Sequence, residues 1–379
     1  MIVVHALGAF ALVLSLAGVA YALIAATIVR RWLGSAVAPD GDAVSVSLLK
    51  PLFGEEPGLL ENLRSFAAQD YGGPIQIVCG VQDPADPALA VARQLSAEVG
   101  PVQLDCVADP RLHGPNRKVS NLINMTGSAR HDLLILSDAD IWAPPDYLRR
   151  IVAAMAQPGT GVVSCLYVGQ ARAGSWSRLA AMGISYGFFP NAALGVRLGL
   201  AHPCMGSTIA LRRSVLEQIG GFEAFAGSLA DDYEIGAAVR AQGLGAVVPP
   251  FAVVHGCSER SFGDVFAHEL RWAVTIRSIE PWGHLGSIVA HPAPLALIAL
   301  LLMGQPAWTV AALVLALLAR AWLKASVDAS VGVASGSWRL LPLRDMLSFG
   351  IFVCSLFARS VDWRGTRFHV ASDGKLSPA

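Results

Sequence analysis

His131–Pro145, HDLLILSDADIWAPP, decides how this chain is read. Leu133 to Leu136 is a short continuous apolar run, the mark of a parallel strand covered on both faces, and it stops abruptly at Ser137-Asp138-Ala139-Asp140. In open α/β sheets ligands bind outside the carboxyl ends of such strands, so both aspartates stand where a ligand would lie. Two carboxylates one residue apart on a strand-to-loop bend can face one hard cation, and Mg2+ is held by one or two carboxylates while substrate phosphates fill its other positions. The same two side chains could instead cap loop amides in an Asx turn.

Upstream, the pattern alternates between strand and helix. Val44 to Leu52 reads as a strand, Glu55 to Gln69 as a helix, Ile75 to Val81 as a second strand ending in Gln82-Asp83-Pro84, and Pro87 to Val99 as a second helix. Val102 to Val107 is a third strand, and Asn116-Arg117-Lys118 opens the helix before the central one. Such alternation predicts βαβ units and a mostly parallel sheet with flanking helices. Lys50, Asp83 and Asp138 at three strand ends would then converge on one sheet edge.

Downstream come a helix from Tyr147 to Met155, a strand from Val162 to Val168, and an aromatic-bearing amphipathic stretch from Ser175 to Gly195 that reads as core packing or as an acceptor lining. A strand from Thr208 to Leu211 and a helix from Ser214 lead to Leu229-Ala230-Asp231-Asp232-Tyr233-Glu234, which opens a helix reaching Arg240. Acids in a first helical turn are favoured by the macrodipole alone, so capping explains Asp231 and Asp232 as readily as chemistry does. Gly245 to His255 is a late strand. Ser261 to Ser278 is an amphipathic helix carrying His268-Glu269-Leu270-Arg271-Trp272, and with Trp282 it suits a membrane interface.

Composition supplies the compartment. Of 379 residues 54% are hydrophobic and only 15% charged, too apolar for an ordinary soluble enzyme. From Ile2 to Val29 there is no acid or base except His5, and Arg30-Arg31 follow, which predicts an uncleaved transmembrane anchor over 1–31 with the chain beyond it in the cytoplasm. Leu285 to Met303 and Ala307 to Leu323 predict a membrane hairpin returning to Arg320 and Lys324. Met346 to Ala358 falls short of the ~20 residues an untilted span needs, so it reads as re-entrant, interfacial, or a tilted span extended from Leu340. The domain plan is therefore the anchor, a catalytic part over 44–280 with its interfacial helix at 261–282, membrane segments over 283–360, and a cytoplasmic tail over 361–379, unstructured after Val370. With 28 basic against 28 acidic side chains there is no nucleic-acid footprint. The six cysteines are scattered without a paired spacing, consistent with free thiols in a reducing cytoplasm rather than a zinc site.

Singly the acids say little; their order says more. Asp83 in VQDPADP, Asp138 in LSDADI, Asp232 in LADDYE and Arg271-Trp272 in HELRW, together with Asn116 to Leu122 and Gly206 to Phe222, resemble the ceramide glucosyltransferases of glycosyltransferase family 21, and most the bacterial branch associated with hopanoid biosynthesis. The resemblance implies a GT-A fold, a UDP-sugar donor, and a lipid alcohol acceptor, ceramide or a hopanoid, reached at the cytoplasmic face of a bacterial inner membrane by a multi-pass protein. Carried over by position, Asp83 would hold the uracil and ribose, Asp138 and Asp140 a metal, Mg2+ or Mn2+, with the diphosphate, and Asp232 would be the general base. Arg271 and Trp272 would close over the diphosphate, and Lys118 would contact the donor or remain a solvated helix-start lysine. The family pattern begins this last motif with Gln or Arg, whereas here it begins with His268, which can donate to a phosphate oxygen but carries no charge when neutral.

The chemistry is coherent. Displacing a nucleoside diphosphate builds charge on the leaving phosphate, which calls for cations there, and the attacking hydroxyl needs a carboxylate that no metal neutralises. Asp232, with Asp231 beside it as a like charge, suits that base. A processive polysaccharide synthase shares the acid pattern but threads its polymer through more membrane helices. A scaffold or small transporter would not gather acids at strand ends, and the apolar segments contain almost no ionisable residues, which speaks against a transporter.

Overall fold

The computed structural model describes residues 2–35, 43–100, 102–202, 204–228, 230–304, 306–358, 360–363, 366–370 and 376–378. It divides into two compact units, one of Ala36–Arg172 with Gly199–Ser258, the other of Met1–Ser35, Ala173–Leu198 and Glu259–Ala379. Residues 173–198 and 259–280, counted above with the catalytic part, thus group with the apolar helices.

Among the described residues the first unit contains ten strands: β1 (Val46–Pro51), β2 (Ile75–Val81), β3 (Gln103–Ala108), β4 (Leu133–Leu136), β5 (Ile141–Trp142), β6 (Thr160–Ser164), β7 (Leu166–Ala171), β8 (Ile209–Arg212), β9 (Gly245–Val247) and β10 (Ala252–Cys257). Seven of them form one sheet in the order β3-β2-β1-β4-β8-β6-β9. β3, β2, β1 and β4 run parallel, joined by helices Leu59–Ala67, Pro87–Glu98 and Arg117–Thr126, while β8 is antiparallel to both its neighbours. The expected mixed α/β sheet is what forms. Two of these helices start where local chemistry dictates: Asp86 accepts from Ala88 N ahead of Pro87, and Asn116 accepts from Val119 N. Leu49, Val78, Leu134, Leu136, Ile209 and Leu211 fill the core with Val119, Leu122 and Met125. At about 1.5–3 kcal/mol for each fully buried aliphatic side chain, such a core can support buried charge at its edge.

Two expected strands are each divided. Val162 to Val168 is two strands, β6 in the main sheet and β7 beside β10 in a three-stranded sheet of order β5-β10-β7. The change comes at Cys165, whose carbonyl accepts from Ser207 Oγ at 2.8 Å. Gly245 to His255 breaks in the same way around Pro249-Pro250, because proline offers no donor to a ladder.

Among the described residues of the second unit four helices are long and apolar enough to cross a membrane: Ile2–Leu33, Ser175–Arg197, Ala307–Val331 and Trp338–Phe357. The N-terminal helix packs closely against Pro292–Met303; a Cβ on Gly8 would strike the Met303 side chain, and Ser15 Oγ donates to Pro292 O at 2.9 Å. The segment expected to run straight from Leu285 to Met303 instead bends by 69° between Pro281–Ala290 and Pro292–Met303, since Pro292 cannot continue a preceding helix. Arg320 and Lys324 are not flanking charges. Their helix runs on to Val331 and buries both, Arg320 against Asp345 at 2.7 and 2.9 Å and Lys324 against Asp328 and Tyr186 Oη. The apolar segments are thus richer in ionisable residues than the sequence suggests, each of these neutralised by a partner.

The segment expected from Met346 to Ala358 is, as far as Phe357, part of the 20-residue stretch Trp338–Phe357, in which Arg344 and Asp345, the residues that interrupt the apolar pattern, are paired with Glu269 and Arg320. The stretch Ser175–Arg197 is mostly buried, with a π-helical turn at Ile184–Phe188 whose Tyr186 bonds Asp328 at 2.6 Å, which is the core-packing alternative. Ser360–Trp363, Thr366–Val370 and Leu376–Pro378 form an antiparallel sheet; the rest of the tail beyond Val370 lies outside the described residues.

Candidate active site

The bend after β4 is held at every step. Ser137 N donates to Leu49 O, Asp138 N to Gly206 O, Lys50 Nζ to Asp138 O at 2.6 Å, Asn62 Nδ2 to Ala139 O at 3.0 Å, and Gly256 N to Asp140 O at 2.8 Å. A buried backbone needs such partners, and here four segments supply them. Lys50 is wholly buried over the Phe66 ring, and burial pushes its ammonium down to about 7 against the pull of Asp138 and Asp140.

On this bend Asp138 meets Lys118, Nζ to Oδ1 at 2.6 Å, and the same Nζ lies 4.0 Å from Asp231 Oδ2. Asn116, capping the Lys118 helix, also donates to Asp231 Oδ1 at 3.1 Å and Ser228 O at 2.8 Å, tying that helix to the one beginning at Asp231. Asp232 Oδ2 accepts from Gly206 N at 3.0 Å, and its Oδ1 accepts from Tyr233 N at 2.8 Å. Lys118 is therefore no solvated lysine. Burial alone would lower its pKa, but Asp138, Asp231 and Asp232 raise it above the ordinary value, so it stays charged. Asp231 is pushed up to about 6 by burial, in spite of Lys118, and Asp232 is raised for the same first reason. Asp231 and Asp232 act on each other as like charges, and Asp138 adds to the rise at both.

Asp140 goes elsewhere. Its Oδ2 lies 3.3 Å from His255 Nε2, and its buried Oδ1 has no hydrogen-bond partner. Burial pushes its carboxyl up, but His255, Lys50 and Lys118 together hold it below the usual carboxylate range. Asp138 and Asp140 thus answer different cations of the chain, and among the described residues no three His, Cys, Asp or Glu side chains converge on one metal position. A cation held by these two carboxylates and completed by substrate phosphates still fits, because Asp140 offers an unpaired buried oxygen and Asp138 is only partly covered. Asp83 lies in the exposed turn after β2, its carboxylate accepting from Ala85 N at 2.8 Å.

In the other unit, Ser261 and Asp264 form a capping box that starts the helix Phe262–Ile279. His268 Nδ1 lies 2.7 Å from the buried Glu259 carboxylate, and its ring meets Trp272 edge-on at 4.4 Å. The sequence pattern of the family described as Glycosyl transferase family 21 matches residues 10–376. The chain belongs to glycosyl transferase family 21.

As a family 21 glycosyltransferase it is 23% identical to ceramide glucosyltransferase 3 of Caenorhabditis elegans over 90% of this chain and 76% of that one. It is 29% identical to an N-acetylglucosaminyltransferase of Bradyrhizobium diazoefficiens over 45% of this chain and 35% of that one. Among solved structures, a mannosyltransferase of Pyrobaculum calidifontis in complex with GDP-Man and Mn2+ superposes with a TM-score of 0.52 at 21% identity, covering 93% of this chain and 99% of its own, a likeness of fold.

Three residues that contact this cluster were given no role from the sequence: His255, Asn116 and Lys50. Lys50 and His255 sit at or near strand ends, which was the available signal, whereas the reach of Asn116 to Asp231 is visible only in three dimensions. Gly206 is a fourth. A Cβ there would fall 2.6 Å from Lys118 Nζ and 2.8 Å from Asp138 Oδ2. Both are ends of flexible side chains, so Gly206→Ala should fold, losing no more than about 1–3 kcal/mol, while parting the Lys118–Asp138 pair. The expected result is a higher KM for the sugar donor at near-normal unfolding temperature. An unchanged donor KM would show that the pair has no part in binding.

Proposed function

We propose that this glycosyltransferase is a membrane-bound inverting enzyme that moves N-acetylglucosamine from its UDP donor to a hydroxyl of a hopanoid such as bacteriohopanetetrol, at the cytoplasmic face of a bacterial inner membrane. The observation that carries the reading is the cluster of Asp138, Lys118, Asp231 and Asp232, a buried carboxylate and two half-buried ones around one largely covered ammonium, beside the orphaned oxygen of Asp140. Asp232, oriented by Gly206 N and Tyr233 N and raised in pKa, takes the proton of the acceptor hydroxyl. Lys118 keeps Asp138 and Asp231 compensated so that they can face an anionic donor. Asp83 binds the uracil and ribose end, and His268, Arg271 and Trp272 serve the departing diphosphate. Mg2+ or Mn2+ held by Asp138 and Asp140 would supply positive charge for that diphosphate. A single displacement inverts the anomeric centre, giving a β-linked product from an α-linked donor.

A second reading, transfer of glucose from UDP-glucose to ceramide, is favoured by the match to a ceramide glucosyltransferase over 90% of the chain. The test offers purified protein UDP-glucose and UDP-N-acetylglucosamine against ceramide and bacteriohopanetetrol, with and without Mg2+, read by lipid mass spectrometry. A metal-dependent N-acetylhexosamine mass on the hopanoid is the expected product. A hexose on ceramide would replace the first reading with the second, and a sugar polymer without lipid gain would overturn both.

A further inference from the structure

Glu269 lies inside the His268 to Trp272 motif, yet it serves a different face of the helix. It is two residues before Arg271, about 200° around an α-helix, so the face it occupies is opposite that of Arg271. Arg344 of the helix Leu341–Phe357 engages it with a two-pronged contact, Nη1 to Oε1 at 2.8 Å and Nη2 to Oε2. Arg344 is buried, and its guanidinium also donates to Leu179 O at 3.3 Å and to Ser348 Oγ. Gly183 leaves room for it: a Cβ there would stand 2.7 Å from Nη2. Further along the same helix Arg277 donates to Ser355 O and to Ala358 O at 2.6 Å, the end carbonyls that the last turn leaves unpaired. The two attachments occur in the same order on both helices, and two points fix rotation and register where one would fix neither.

We propose that the Arg344–Glu269 pair, seconded by Arg277, is a positioning latch that sets the rotation and register of the helix bearing Arg271 and Trp272. The inference rests on the reading that these two residues serve the donor diphosphate. A buried ion pair contributes little net stability compared with apolar residues of like volume, whereas its directional two-pronged geometry specifies one arrangement. Three helices meeting on one guanidinium are a costly way to gain stability and a direct way to gain register.

The latch therefore separates from folding in a double-mutant cycle. Full-length protein in detergent carries E269L with R344M, alone and in an R271A background, and donor KM, acceptor KM and unfolding temperature are measured for each. The apolar double variant is expected to unfold within a few degrees of the parent. It should lose at least tenfold in kcat/KM for the donor with acceptor KM unchanged, and less than threefold when R271A is already present. Should E269L with R344M not yield folded protein, R344K, which keeps the charge but not the fork, enters the same cycle with the same expectation. Equal losses in both backgrounds, or no loss in the parent, overturn the latch. Full activity of R271A alone overturns the diphosphate reading of this helix and the latch with it, whereas a dead R271A beside a fully active latch variant overturns the latch only.

Discussion

Asp232→Asn is expected to lower turnover about 10²–10⁴-fold, the usual worth of a general base, which corresponds to about 3–5 kcal/mol of transition-state stabilisation. Donor affinity should survive, because asparagine preserves the shape and still offers an oxygen to Gly206 N or Tyr233 N. Single-turnover assays beside isothermal titration with the UDP-sugar separate the two quantities. Loss of donor binding would move Asp232 out of the base role. The pH profile carries an independent sign. A base works deprotonated, and burial raises this carboxyl while taking neighbouring Asp231 to about 6. Acidification therefore protonates the pair earlier than it would a free aspartate, whose pKa is about 3.9. The acid limb of kcat should lie above the ordinary carboxylate range, and a limb at or below that range would contradict the assignment.

Asp138→Ala should abolish metal-dependent donor binding. Loss of a residue that merely supports a metal ligand costs about 10–100-fold in metal affinity, and loss of a ligand itself should exceed that. The variant also strips Lys118 of its 2.6 Å partner, leaving Asp231 at 4.0 Å to compensate it, so some destabilisation is expected as well. Asp138→Asn, which retains the side-chain shape, is the control for that second effect. Donor titrations with Mn2+, and again with EDTA, read the outcome; donor binding indifferent to chelator in the parent protein would take the metal away from Asp138.

The parallel half of the sheet was legible because strand and helix patterns alternate along it and Lys50, Asp83 and Asp138 stand at or just after strand ends, and strand-end chemistry points to one edge. The switch of sheets at Cys165 was not, since residues on both sides are equally buried and no glycine or proline marks the change. Among the site residues, Asp138 and Asp140 could be found from local pattern. Asp138 answers Lys118 from the preceding helix, whereas Asp140 answers His255 more than a hundred residues further along the chain, and no local spacing encodes that division. Arg320, Lys324 and Arg344 misled for a related reason. A charge in an apolar segment looks like a boundary until its counter-charge is known, and Asp345, Asp328 and Glu269 turn those boundaries into interior helix.

The tethered bend from Ser137 to Asp140 has a thermodynamic consequence. Ordering a flexible loop around a ligand costs about 1–2 kcal/mol for each residue fixed. Here Leu49, Lys50, Asn62, Gly206 and Gly256 already restrain that backbone. Whatever anion arrives meets a surface whose entropy was surrendered when the chain folded, so its affinity reflects the contacts it makes rather than the disorder it must remove.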